Sequence, residues 1–200
     1  VANDAELFDA WSAGDQHAGA ELFDRHFSAI ARFFRNKVSD DFEDLVQQTF
    51  TACLEARERY RKASSFRTFL FGIANNVLRE HLRRRSRNRL DPMESSAYDL
   101  EPGLSTAFAK AREQRLLVEA LRRIPLEHQV ILELFYWEEL SAREVGEVLE
   151  QSEFTIRNRL RRGKELLRRS LSELAENPEE LESTWDGLER WAEEVRGALE

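Results

Sequence analysis

A single cysteine, Cys53, among 200 residues excludes an intramolecular disulfide and any zinc site built on several thiolates. It falls at an apolar position of helical spacing and reads as packing. Eight glycines and four prolines are too few for a collagen-like or low-complexity chain. No apolar run approaches the ~20 residues of a membrane-crossing helix, so no membrane insertion is expected. The opening Val1-Ala-Asn-Asp-Ala-Glu lacks the basic and apolar regions of a secretory signal, and a cytoplasmic location is the expectation. Four histidines (His17, His26, His81 and His128) form no H-E-x-x-H or similar ligand set. The acidic run Asp40-Asp41-Phe-Glu43-Asp44 has the oxygen ligands of a nuclease metal site, but is better read as a helix N-terminus, where carboxylates meet the positive end of the dipole. No catalytic residue, metal or cofactor is expected.

Strand-like alternation is missing too. What the chain has is helical spacing, as in Phe23, Phe27, Ile30, Phe34 and then Phe42, Leu45, Val46, Phe50, Cys53, Leu54. The interruption is Arg87 to about Gly103, with Asp91-Pro92, Ser95-Ser96 and Pro102-Gly103, which reads as a linker. The expected fold is all-α. Two small helical domains, residues 1–90 and 113–171, are joined by a flexible linker over 91–112 and followed by an acidic extension over 172–200 that contains a C-terminal helix.

A net charge of −8 for the whole chain argues against nucleic acid. Its distribution reverses that argument. Residues 61–90 carry nine basic and one acidic side chain, residues 154–171 carry seven and one, and residues 172–200 carry two and ten. In the first basic block, a helix from about Ser65 turns Phe66, Phe69, Leu70, Ile73, Ala74, Val77, Leu78 and Leu82 toward a core. Its other side carries Gly72, Asn76, Arg79 and Arg83, with Asn75 beside them and Arg84 following. Glycine lets a backbone approach, asparagine pairs with a base edge and arginine neutralises phosphate. The preceding Tyr60-Arg61-Lys62-Ala63-Ser64-Ser65 combines cations, hydroxyls and an aromatic suited to an unpaired base. A solvated helix end is the plainer alternative, but nine cations exceed what dipole compensation requires.

The second basic block follows helix-turn-helix arithmetic. Ser141-Ala-Arg-Glu144 is a capping box opening a short helix, Glu150-Gln151 is a turn, and Ser152 caps a helix that buries Ile156, Leu160, Leu167 and Leu171. Its outer face presents Arg157, Asn158, Arg161, Arg162, Lys164 and Arg168. A surface helix of a bundle is the plainer reading.

Taken together, Asp44-Leu-Val-Gln-Gln-Thr-Phe50, Phe66-Arg-Thr-Phe-Leu-Phe-Gly-Ile-Ala-Asn-Asn-Val77, Leu82-Arg-Arg-Arg85, Leu121-Arg-Arg-Ile-Pro125, Leu140-Ser-Ala-Arg-Glu-Val145 and Thr155-Ile-Arg-Asn-Arg-Leu160 resemble the extracytoplasmic-function sigma factors. Order and separation are more specific than any single piece. The resemblance implies a bacterial transcription initiation factor whose region 2 binds core RNA polymerase through Asp44, Gln47, Gln48 and Phe50. Arg61, Lys62, Ser64, Phe69, Gly72, Asn75, Asn76, Arg79, Arg83 and Arg84 would read and open the minus-ten element, with a base flipped from the melted non-template strand held by the loop over 60–68. Ser152, Thr155, Arg157, Asn158, Arg159, Arg161, Arg162 and Lys164 would read the minus-thirty-five duplex. An anti-sigma factor or other regulator is a further candidate partner. Gln48, Asn75 and Gly146 depart from the commoner Glu, Arg and Ala, and Glu150 and Phe154 stand at positions commonly glycine. These departures bear on promoter sequence more than on function. The rival class is a helix-turn-helix regulator acting without polymerase.

After Leu171 the resemblance ends. Leu181, Trp185, Leu188, Trp191, Ala192, Val195 and Leu199 keep helical spacing behind Asn177-Pro178. Three readings stand: a helix completing the second domain's core, an acidic autoregulatory segment folding over the basic or polymerase-binding surfaces, or a docking helix for a separate regulator.

Overall fold

The computed structural model describes residues 2–38, 42–60, 64–85, 91–100, 112–188 and 190. Asn3 opens α1 (Asp4–Ser12) with a reciprocal capping box to Glu6, and Asp15 caps α2 (Gln16–Arg35) by accepting from the amides of His17 and Ala18. Next come α3 (Phe42–Ala56) and α4 (Phe66–Arg85). These helices share a core of Leu22, Ile30, Phe34, Leu45, Cys53, Leu70, Ala74 and Leu78, all fully buried. Burial pushes the Cys53 thiol up to about 12, as expected of a packing residue rather than a reactive one.

The stretch read as a linker is partly folded. A 3-10 turn (Pro92–Glu94) and α5 (Ala97–Leu100) seat Met93 and Ala97 in the core, and Ser96 bridges to Pro125. Residues 86–90 and 101–111 lie outside the described residues.

The second half comprises α6 (Arg112–Arg123), α7 (Leu126–Tyr136), α8 (Ala142–Leu149) and α9 (Glu153–Leu174). The capping box at Ser141 and Glu144 is formed, and Ser152 caps α9 by accepting from the Thr155 amide. Ile156, Leu160, Gly163, Leu167 and Leu171 are buried, as the helical spacing requires. Between α8 and α9, Glu150 takes the left-handed conformation that this turn needs, with φ 56°. The carbonyl of Gln151 then comes so close to Gly146 that a Cβ there would sit 2.5 Å from it, so only glycine fits.

The extension continues as α10 (Pro178–Asp186), capped by Asn177, with proline at its first position. It lies against α6 and α9, burying Thr184 and the following Leu188. Trp191, Ala192, Val195 and Leu199 lie outside the described residues.

Candidate nucleic-acid interface

Helix α4 carries the first set. Ser65 Oγ accepts from the Thr68 amide at 3.1 Å and fixes the start of the helix. Tyr60 donates to the Ser64 carbonyl at 2.6 Å, and its ring stacks on Phe69 with centroids 4.7 Å apart. Beside the helix start there is thus an aromatic shelf; Arg61 and Lys62 of the intervening loop lie outside the described residues. Asn76, Arg79, Arg83 and Arg84 are exposed on α4. Arg79 pairs with Asp91 at 3.0 Å, while Arg83 and Arg84 both reach Glu80. Exposed pairs of this kind contribute little to stability, so phosphates can displace the carboxylates.

Gly72 and Asn75 sit differently from the rest of that stripe. Helix α8 lies along α4, bringing the Val148 carbonyl within 3.8 Å of the Cβ position at Gly72. Asn75 is buried with its Oδ1 unpartnered, and Phe71, absent from the expected core face, is buried as well. A helix some seventy residues downstream covers this side, which the local period of α4 cannot reveal.

Behind this contact a cluster of charges joins the two halves. Arg32 clasps Glu138 with bonds of 2.7 and 3.0 Å, and Arg67 reaches the same carboxylate at 2.6 Å. Lys37 pairs with Glu133, which also accepts from Asn36 at 2.6 Å and from Gln129 at 2.8 Å. Loss of hydration pulls the Lys37 ammonium down and the Glu133 carboxyl up, and their mutual attraction opposes both shifts.

Helix α9 carries the second set. Arg157, Asn158, Arg161 and Arg162 are exposed, with Arg159 and Thr155 half-buried at the flanks. Arg157 is drawn to Glu153, Arg159 to Glu127, and Arg162 to Glu165. Lys164 lies over the Tyr136 ring, 5.2 Å from its centre. Phe154, in the first turn, is 75% exposed. The acidic extension meets the far end of this helix: Arg168 pairs with Glu182 at 2.6 Å and covers the Trp185 ring. Arg112 of α6 takes Glu176 and Glu180.

The third set lies on α3. Asp44, Gln47 and Gln48 are exposed, and Phe50 is half-buried against Phe23 and stacked beside Phe27 at 6.4 Å. Helical spacing alone would have placed Phe27 and Leu54 in the core, yet they are 54% and 49% exposed, forming with Phe50 an apolar edge next to the glutamines. Among the described residues no group of three or more His, Cys, Asp or Glu side chains is placed to hold a metal, and no helix is long and apolar enough to cross a membrane. Asp40 and Asp41 of the acidic run lie outside the described residues.

Two family models match in sequence order: Sigma-70 region 2 over residues 22–88 and Sigma-70, region 4 over residues 114–167. The chain is 31% identical over 171 residues to the RNA polymerase sigma factor CarQ of Myxococcus xanthus, covering 80% of this chain and 93% of that one. It is 27% identical over 176 residues to the ECF RNA polymerase sigma factor SigM of Mycobacterium tuberculosis, covering 86% of each. In fold it is similar to CnrH, solved in complex with the cytosolic domain of CnrY, with a TM-score of 0.66 at 24% identity over 86% of this chain and 99% of that one. The same holds for the sigma factor RpoE of Bartonella quintana, solved with the anti-sigma factor NepR, with a TM-score of 0.58 at 19% identity over 76% and 93% of the two chains. With both regions matched and their order kept, the chain belongs to the extracytoplasmic-function family of RNA polymerase sigma factors.

Proposed function

We propose that this sigma factor divides promoter recognition between α4 and α9 while a face of α3 holds the polymerase. Over residues 1–90, Asp44, Gln47, Gln48 and Phe50 dock on core enzyme. Asn76, Arg79, Arg83 and Arg84, with Arg61, Lys62, Ser64, Phe69, Gly72 and Asn75, then read and open the minus-ten element. Over residues 113–171, α9 enters the minus-thirty-five major groove with Arg157, Asn158, Arg161 and Arg162 foremost, supported by Ser152, Thr155, Arg159 and Lys164. Residues 91–112 set the spacing between the two readers. The protein acts in the cytoplasm by binding alone, offsetting with contact energy the few kcal/mol needed to unstack a flipped base.

The observation that carries this reading is the pair of exposed basic faces, one in each matched region, in an otherwise acidic chain. CnrH and RpoE are each solved with a protein partner, and an anti-sigma protein is proposed for this chain by likeness. The contacts of α10 favour the extension as a helix that completes the second half. Among the described residues it pairs with Arg112 and Arg168, not with Arg157 or Arg162. Pull-down with purified bacterial core polymerase tests the proposal: the chain should bind core and support specific initiation. A regulator acting without polymerase would do neither.

A further inference from the structure

We propose that Phe154 reads a thymine methyl group in the minus-thirty-five element. The inference rests on α9 being the recognition helix and adds a base identity to it. Phe154 is the second residue of α9, in the turn that enters a groove first. It is 75% exposed, and Arg157, Asn158 and Arg161, three, four and seven residues on, share its face and are exposed with it. The buried side, Ile156, Leu160, Gly163 and Leu167, is opposite. The Arg157 guanidinium turns back to Glu153, at 2.9 and 2.6 Å, rather than covering the ring. An aromatic ring set singly among hydrogen-bonding and cationic side chains is too small an apolar area for a protein-docking patch. The group it complements in a major groove is the one apolar feature displayed there, the C5 methyl of thymine.

The test assembles holoenzyme from the full chain and bacterial core, selects bound duplexes from a random library, and compares wild type with Phe154→Ala. Wild type should select thymine at one position of the upstream motif. Replacing that thymine by deoxyuridine, which lacks only the methyl, should weaken wild-type binding about 4-fold and leave Phe154→Ala unaffected. A selected motif that tolerates deoxyuridine at every thymine overturns the assignment while sparing the role of α9. If no upstream motif is selected, or Arg157→Ala leaves selection unchanged, the recognition-helix reading itself fails.

Discussion

Substitutions at Arg157 and Asn76 test the proposed division of DNA reading at the level of single side chains. Arg157 is exposed on α9 and bonded to the neighbouring Glu153, so Arg157→Ala removes the proposed DNA contact without disturbing the fold. Duplex binding should weaken by about 1–3 kcal/mol if it contacts a base. Asn76→Ala, exposed on α4, should spare duplex affinity and impair promoter opening, measured by permanganate reactivity of unpaired thymines. Equal loss of both functions in both variants would contradict the division. Gly146 offers a stability prediction. A methyl group there would meet the Gln151 carbonyl at 2.5 Å, so Gly146→Ala should destabilise the fold by about 1–3 kcal/mol in a denaturant titration. A fully tolerated alanine would show that the turn relaxes freely.

The helices most legible in the sequence are those whose ends carry their own chemistry. The Ser141 capping box, the Ser152 cap and the Asn177-Pro178 start form where local hydrogen bonding dictates. Ser152→Ala should accordingly lower stability by about 1 kcal/mol and loosen the start of α9, read by amide exchange at Thr155. Less legible were features depending on distant partners. Phe71 packs on Phe33 of α2, Asn75 is buried where α8 lies along α4, Met93 and Ala97 find the core across what composition marks as linker, and Lys37 meets Glu133 from 96 residues away. Neither helical periodicity nor charge counting encodes such pairings. Phe27 and Leu54 mislead in the other direction, because an exposed apolar edge has the same spacing as core. Helix α10 bears on the tail: truncation after Ser172 exposes the surface that Thr184 and Leu188 cover and should lower the thermal midpoint. Unchanged promoter binding and transcription in that truncation would rule out autoinhibition by the extension.

For the molecule as a whole, the net charge of −8 is an average over unlike parts. Among the described residues, acidic side chains of the extension meet Arg112 and Arg168, away from the first turns of α9, while on α4 Arg79 is held by Asp91 and Arg83 and Arg84 by Glu80. A chain acidic in sum can therefore present basic faces to DNA. The most direct test of promoter recognition by this chain is initiation by purified bacterial core polymerase, with and without the full chain, on templates recovered by holoenzyme selection. Transcripts from a fixed start are expected only when the chain is present, and should be lost when either Asn76 or Arg157 is replaced by alanine. Stable DNA binding by the chain with no association with core and no transcript would contradict this expectation.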